Sequence, residues 1–364
     1  KGTSVNSLRT KSSILGGDKA TSAVKAAATV FTVAALSTGV AACSAESGND
    51  SAQGGAAGKD SDFQPVTIEH ALGKAEIDEK PERVVTLGQG STETAIALGV
   101  TPVAMEQYDW GADDSGYLPW IREAVEDKGE ELPALIKGQD NLSPEEILKY
   151  EPDVILAPWS GLTQEQYDQL NKIAPTVAYE EQPWVIKWDD QIRTVSKALG
   201  KEDKAQGLID DIQGELADAK EPEYEGKTFS YIYNSGPENL GIFFPDEQRV
   251  AMVRALGLTV DPVVEEFRKD EVPGTDSAQV SKENLDKLDN SDLIFTFYMD
   301  DENRKTMHKD PAYSRIPAIA DGREVAYTDQ SLVTASSMIN PLTVPWATER
   351  MKPLIDEAVA KVNK

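Results

Sequence analysis

Two segments of the chain share one order of motifs, and this internal similarity limits the possible folds more than any single motif does. In the first half, "AIALGVTPV" (95–103) is followed by "LSPEEILKYEPDVIL" (142–156), and in the second half "MVRALGLTV" (252–260) is followed by "VSKENLDKLDNSDLIF" (280–295). Each pair runs from Ala-Leu-Gly to a Ser-x-Glu helix start and then to an aspartate before an aliphatic strand. A repeat of this length predicts two similar lobes.

Strand-like and helix-like segments alternate within each half. In the first half the short apolar runs are "RVVTL" (83–87), "VTPVAM" (100–105), "DVILA" (153–157) and "TVAY" (176–179). Such alternation favours parallel sheets covered by helices on both faces. The predicted fold class is therefore α/β, with two similar Rossmann-like lobes joined by a long rigid α-helix and a ligand cleft between them.

The connection between the halves has a helical pattern. Residues 189–220 contain no proline, and apolar residues recur there at helical spacing. Gly200 is expected to divide the segment into two helices, the second running from about Lys201 to Lys220, and Pro222 ends it. The predicted divisions of the chain are a lipoprotein signal peptide (1–42), a lipidated cysteine with a flexible tether (43–62), an N-terminal lobe (63–185), connecting helices called the spine (186–221) and a C-terminal lobe (222–364).

The chain has one cysteine, Cys43, so it cannot form an internal disulfide. Upstream of it, scattered basic residues precede a weakly apolar run that ends in small residues, which is the order of an export signal. Val40-Ala41-Ala42-Cys43 resembles a bacterial lipobox, in which the cysteine is lipidated. The alternative is an ordinary signal peptide with an accidental cysteine. The stretch from 44 to 62 has no large apolar residue and reads as a tether.

The charge balance is strongly acidic, with 36 Lys and Arg against 63 Asp and Glu and a net charge of −27. This disfavours nucleic acid and anionic lipid surfaces as partners.

Three stretches together resemble a known family. They are "PERVVTLGQGSTETAIALGVTPVA" (81–104), "LSPEEILKYEPDVILAPWSGLTQEQYDQLNKIAPTVAY" (142–179) and the spine. They are similar to the lipoprotein substrate-binding subunits of ABC importers for iron–siderophore complexes, a fold group that also includes haem and cobalamin binders. The resemblance implies a monomeric carrier, not an enzyme, anchored on the extracytoplasmic face of a bacterial membrane. It would deliver a ferric siderophore to a permease dimer with its ATPase, without a cofactor of its own.

The resemblance also implies a docking function for one glutamate of each lobe. The matching residues are Glu145 in "LSPEEI" and Glu283 in "VSKENL", with Glu93 as a weaker third candidate. Complementary charges at two equivalent places would set the register of a complex with two permease subunits. The alternative is that these glutamates only stabilise helix starts.

Candidate cleft residues follow the predicted strands, because ligands of open α/β sheets bind beyond the carboxyl ends of the strands. Core packing is the alternative for each aromatic residue among them. The preferred candidates are Gln89, Tyr108, Trp110, Trp159, Tyr233, Arg249 and Tyr298. Further candidates are Ser91, Ser160, Asn234, Trp346 and the segment 331–338.

The predicted cleft is poor in cations, since Arg249 is the preferred donor and no set of three cleft-placed cations can be identified. Catecholate complexes of iron carry several negative charges, so a hydroxamate or mixed carboxylate complex is favoured. The siderophore would hold the iron, and no metal ligand from the protein is required.

Three other functions are alternatives to siderophore binding. A binder of bare zinc or manganese needs several histidines, and this chain has only His70, in a predicted hairpin ahead of the first lobe, and His308. An enzyme is disfavoured because no nucleophile elbow, Walker loop, G-x-G-x-x-G or H-E-x-x-H motif occurs. A haem or cobalamin carrier of the same fold stays open, because Tyr108, Tyr233 or Tyr298 could serve as an axial haem ligand.

Overall fold

The computed structural model describes residues 63–138, 141–234, 239–272 and 275–362. The predicted signal peptide, Cys43 and the tether lie outside these residues. The described chain begins with the antiparallel hairpin of β1 (Val66–His70) and β2 (Gly73–Ile77), as predicted ahead of the first lobe. Buried and exposed residues alternate along the hairpin, so one face packs on the core and the other faces solvent.

The first sheet is parallel throughout and has the order β5-β4-β3-β6-β7. Its strands are β3 (Val84–Thr86), β4 (Ala104–Glu106), β5 (Ala134–Ile136), β6 (Val154–Leu156) and β7 (Thr176–Val177). The connecting helices are α1 (Ser91–Ala97), α2 (Pro119–Asp127), α3 (Pro144–Leu148) and α4 (Gln164–Leu170). The chain enters at β3, builds one side and then crosses to β6, so the strand order reverses between β3 and β6. That reversal is where an open sheet of this type forms a ligand crevice.

Two helices carry the chain from the first sheet to the second. They are α5 (Trp188–Ala198) and α6 (Glu202–Asp218), and a short 3₁₀ helix at Pro222–Tyr224 follows. Gly200 lies between them with φ of 64°, a left-handed conformation that favours glycine. The predicted break at Gly200 is therefore confirmed.

The second sheet has the order β11-β12-β9-β8-β13-β14, and β10 also pairs with β8. Its strands are β8 (Thr228–Asn234), β9 (Asn239–Phe243), β10 (Thr259–Val260), β11 (Glu271–Val272), β12 (Ser277–Ser281), β13 (Leu293–Phe297) and β14 (Glu324–Tyr327). The parallel strands β10-β8-β13-β14 repeat the order β4-β3-β6-β7 of the first sheet, which confirms the repeat read from the sequence. The antiparallel strands β9, β12 and β11 are an addition that the repeat did not predict.

Helices cover the second sheet and complete the fold. They are α7 (Gln248–Ala255), α8 (Asp301–Met307), α9 (Pro311–Ser314), α10 (Pro317–Ala320), α11 (Gln330–Ala335) and α12 (Thr343–Val362), with 3₁₀ helices at Pro262–Asp270 and Lys282–Asn290. One buried apolar cluster joins Met105 of the first lobe, Ile209 of the spine and Phe295 of the second lobe. A shared core of this kind resists wide hinge opening between the lobes. Within the described ranges, no helix is long and apolar enough to cross a membrane.

Candidate functional site

A cavity of about 1000 Å³ lies between the two lobes. This cavity is called the cleft below. Its first wall comes from the exits of β3 and β6, the loop after β7 and the start of α5. Its second wall comes from the start of α7, the turn between β11 and β12, and the end of α11. The volume suits a bulky small-molecule ligand.

The first wall is built where the strand order reverses. The Leu87 amide donates to the Leu156 carbonyl over 2.8 Å, which keeps the exits of β3 and β6 side by side. Gly88 has φ of 72°, and a Cβ there would lie 1.7 Å from the Trp159 carbonyl oxygen. Only glycine allows this approach, and it brings Gln89 and Trp159 together at the cleft, as predicted for both.

The loop between β7 and α5, together with the first residue of α5, adds aromatic residues that were not predicted from the sequence. Trp184 and Trp188 both line the cleft. The Trp184 amide donates to the Ser160 carbonyl over 3.1 Å. The ring of Trp184 meets Trp159 edge to face, with centroids 4.7 Å apart. The sequence feature that could have identified them is "QPWVIKW" (182–188), in which two tryptophans lie in a segment with no helical or strand periodicity.

The second wall centres on the first turn of α7. Glu247 caps this helix, and one of its carboxylate oxygens accepts the Arg249 amide over 2.9 Å. The Arg249 guanidinium pairs with the other carboxylate oxygen. It also lies over the rings of Phe243 and Phe297, at 4.8 and 5.9 Å from their centroids. Arg249 therefore lies in the cleft lining, as predicted, and is held in one orientation by a carboxylate and an aromatic shelf.

The segment 331–338 closes the floor of the second wall, as predicted. Val333, Thr334, Ser337 and Met338 line the cleft. The Ser331 hydroxyl donates to the Gly111 carbonyl over 2.8 Å and so links the two lobes beside Trp110. Trp110 lines the cleft and remains 46% exposed, which is unusual for a tryptophan in a folded chain.

Carboxylates outnumber cationic side chains in the described lining. The cationic side chains are Lys187 and Arg249, whereas the carboxylates are Asp189, Asp246, Glu247, Glu271 and Asp276. Burial raises the pKa of Glu247 above its ordinary range, and Arg249 opposes that rise. Asp189, Asp246 and Glu271 each lie within ion-pair distance of an arginine outside the lining, so the lining is not strongly negative, but it offers a polyanionic ligand no excess of positive charge.

The prediction that Tyr298 lies in the cleft is wrong. Its side chain is 2% exposed, and its hydroxyl bonds to the Tyr313 hydroxyl over 2.6 Å and to the Glu324 carboxylate. Burial raises the pKa of Tyr298, because the phenolate would be desolvated beside a carboxylate.

Tyr233 and Tyr108 also lie outside the described lining. Tyr233 is half-buried and stacks on Phe243 with centroids 4.5 Å apart, so it supports the shelf below Arg249. Tyr108 packs against the shared core, and burial raises its pKa well above the ordinary value. Both tyrosines are partly buried against the core, which is closer to the alternative of core packing than to a place in the cleft lining.

The remaining candidates also lie away from the described lining. Ser91 and Ser160 are buried, and the Ser160 hydroxyl donates to the Ala157 carbonyl over 2.7 Å. Asn234 ends β8. Trp346 packs edge to face on Trp120, with centroids 5.5 Å apart, as a core residue would.

The docking candidates differ in exposure. Glu145 lies in the first turn of α3 behind its cap Ser143, and Glu283 lies in the equivalent turn behind Ser281; both are exposed. Glu93 is wrong as a third docking residue, because it is 2% exposed and its carboxylate accepts the Trp120 indole N–H over 3.0 Å.

Residues 84–332 match the family described as periplasmic binding protein. The chain belongs to this family. It is 30% identical over 249 residues to the probable siderophore-binding lipoprotein YfiY of Bacillus subtilis (strain 168), a match that covers 67% of this chain and 72% of that protein. It is also 32% identical over 195 residues to the putative ABC transporter substrate-binding lipoprotein YhfQ of the same organism, covering 53% of this chain and 54% of that protein.

A solved structure agrees with the sequence relatives. PiaA from Streptococcus pneumoniae TIGR4, crystallised in complex with ferrichrome, superposes with a TM-score of 0.71 and 31% identity. The match covers 81% of this chain and 99% of that one. The family and the α/β fold predicted from the sequence are thus confirmed, and the relatives are binding proteins of transporters rather than enzymes.

Proposed function

We propose that this chain captures a ferric siderophore complex, preferably of the hydroxamate type, and delivers it to an ABC permease. The cleft is the observation that carries the proposal: it is large, walled by tryptophans and open between two lobes. The named relatives support it, since one is named as siderophore-binding and one was solved with ferrichrome. Aromatic walls suit the apolar outer face of such a complex.

The preference for hydroxamates rests on charge. Trihydroxamate complexes of ferric iron have a neutral core, whereas catecholate complexes are polyanions. Lys187 and Arg249 are outnumbered by the carboxylates of the described lining, and Arg249 is already paired with Glu247. A polyanion would therefore find no excess of cations in the cleft to compensate its charge.

Delivery needs an anchor and a docking surface. We assign the anchor to a lipidated Cys43, followed by the tether 44–62, and the docking surface to Glu145 and Glu283. The lobes would be 63–185 and 222–364, joined by the spine 186–221, and the carrier would act as a monomer. Two exposed carboxylates on equivalent helix starts suit a partner with two equivalent basic pockets.

Haem is a weaker candidate ligand. An axial histidine or tyrosine is the usual ligand of haem iron, and the cleft lining contains neither among the residues that the structure describes. The binding test includes cobalamin as a further candidate ligand.

The test is a fluorescence titration of the chain from Phe63 to Lys364 with ferrichrome, ferric ferrioxamine B, a ferric tricatecholate, haem and cobalamin. Saturable quenching by a hydroxamate complex, at concentrations well below those needed for the catecholate, is the expected result. Stronger binding of the catecholate would overturn the hydroxamate preference. Binding of haem or cobalamin alone would overturn the siderophore assignment.

A further inference from the structure

We propose that Glu247 determines charge selectivity in the cleft: by neutralising Arg249, it makes the site select neutral or cationic ferric complexes over anionic ones. This inference rests on the proposed function and adds the residue that sets the ligand's charge class. Glu247 acts through Arg249 and is therefore a positioning residue.

Both carboxylate oxygens of Glu247 take part in its pairing with Arg249. One carboxylate oxygen accepts the Arg249 backbone amide over 2.9 Å, and the other pairs with the Arg249 guanidinium. The Glu247 side chain is only 12% exposed and that of Arg249 is 25% exposed. Solvent screening between them is accordingly weak, and the pair presents little net positive charge to a ligand.

The surroundings of Arg249 favour this compensated state. The guanidinium lies over Phe243 and Phe297, and Nε is buried with no hydrogen-bond partner among the described residues. An arginine in this position offers a ligand a flat cationic face and few free donors. Without Glu247, the same guanidinium would become an uncompensated cation at the wall of the cleft.

Other carboxylates on this wall act in the same direction. Asp246, Glu271 and Asp276 also line this wall, and Arg249 is the only cation that the described lining contributes from this lobe. Asp246 lies 3.8 Å from Arg254, and Glu271 lies 3.8 Å from Arg268, both outside the lining. Removing the carboxylate of Glu247 therefore removes the negative charge nearest to Arg249 while the outer carboxylates stay in place.

Two ligand series separate charge from shape. The first is ferric ferrioxamine B, whose terminal amine is protonated, with its neutral N-acetyl and anionic N-succinyl derivatives. The second is neutral ferrichrome with anionic ferrichrome A. Within each series the iron core is constant, and comparing the ratio of dissociation constants between Glu247→Gln and wild type cancels the remaining differences in ligand shape, so the change in the ratio reports on charge.

In the series that the wild type binds, we expect the anionic member to bind more weakly than the neutral one. Glu247→Gln should narrow that ratio of dissociation constants by about tenfold, which is the effect of one unit charge about 12 Å from the ligand's charge at an effective dielectric constant of about 20. Glu247→Asp keeps the charge and should keep most of the selectivity. Glu265→Gln is the matched control, because Glu265 also pairs with an arginine, Arg268, but lies outside the described lining.

A ratio that is the same in Glu247→Gln and wild type would overturn the inference and leave the proposed function intact. Failure of both series to bind the wild type would overturn both. If Glu247→Gln does not fold, the salt dependence of ligand affinity in the wild type tests the inference instead. Salt screens repulsion, so the affinity for the anionic member should rise with ionic strength, and a fall would show an uncompensated cation and overturn the inference.

Discussion

The indole rings of Trp159 and Trp184 meet edge to face at the cleft, with their centroids 4.7 Å apart and their planes at 66°. Trp159 follows β6, whereas Trp184 lies in the loop that leads to the spine. The hydrogen bond from the Trp184 amide to the Ser160 carbonyl fixes this loop against the exit of β6. The pair thus forms a continuous aromatic wall on this side of the cleft.

Trp159→Phe and Trp184→Phe should each reduce the fluorescence quenching caused by ferrichrome and weaken its binding about fivefold, because each removes part of an aromatic contact worth about 1 kcal/mol. Titration of the single variants measures both quantities. Trp346→Phe is the control, since this ring lies against Trp120 outside the cleft lining and its indole nitrogen is buried without a partner among the described residues. Equal quenching in all three variants would contradict the assigned wall.

Trp184 has φ of 65°, a conformation that costs a residue with a side chain about 1 kcal/mol or more. Trp184→Gly and Trp184→Ala both remove the ring, but only glycine accepts this backbone without strain. We expect the glycine variant to be more stable than the alanine variant by about 1 kcal/mol. Urea unfolding of the two variants measures the difference, and a more stable alanine variant would indicate that the loop does not hold this conformation in solution.

Glu145→Ala combined with Glu283→Ala should abolish siderophore uptake in cells while ligand affinity in vitro stays nearly unchanged. The reason is that both residues are exposed at helix starts and neither lines the cleft. The control is Glu165→Ala with Glu302→Ala, which removes exposed glutamates from the first turns of α4 and α8, one in each lobe. Uptake that survives the first pair, or is lost equally in the second, would contradict the docking assignment.

Local patterns were enough to predict the strand–helix alternation, the hairpin before the first lobe and the break at Gly200. Each depends on residues close in sequence: apolar periodicity, or a glycine that accepts a left-handed conformation. Part of the first wall of the cleft was predictable as well, because Gln89 and Trp159 follow neighbouring parallel strands, whereas Trp184 and Trp188 of the same wall were missed.

The second wall was predictable only in part: Arg249 and the segment 331–338 contribute to it as predicted, but the candidates taken from the ends of β8 and β13 do not. The end of β8 pairs antiparallel with β9, with Tyr233 opposite Gly241, so the sheet continues where the sequence analysis expected a ligand crevice. The edge of the cleft is instead formed by the turn after β9 and the start of α7, where Glu247 and Arg249 lie. A long-range antiparallel pairing leaves no periodic signal in the sequence that distinguishes it from a strand followed by a loop.

Tyr298 illustrates a second limit. It follows β13 immediately, as a ligand-binding residue would, but its hydroxyl turns toward the buried Glu324. Position along a strand gives the edge of the sheet at which a residue lies, and the direction of its side chain depends on partners that are distant in sequence.

Glu93 gives a prediction about pH. Its carboxylate accepts the Trp120 indole N–H and the Gly90 amide but has no cationic partner among the described residues, and burial raises its pKa. In the folded protein the carboxyl therefore holds its proton to a higher pH than in the unfolded chain. It follows that the free energy of unfolding is highest below the unfolded pKa and falls as pH rises toward the folded pKa, at up to about 1.4 kcal/mol per pH unit.

Glu93→Gln mimics the protonated form and removes this loss of stability. Urea unfolding at about pH 4 and about pH 8 should show similar stability for the two proteins in acid and a less stable wild type in base. Glu165→Gln controls for the removal of one exposed negative charge. If the difference between wild type and Glu93→Gln stays constant or narrows with rising pH, the carboxylate is stabilised in place and the assignment of a charge-destabilised buried carboxyl is wrong.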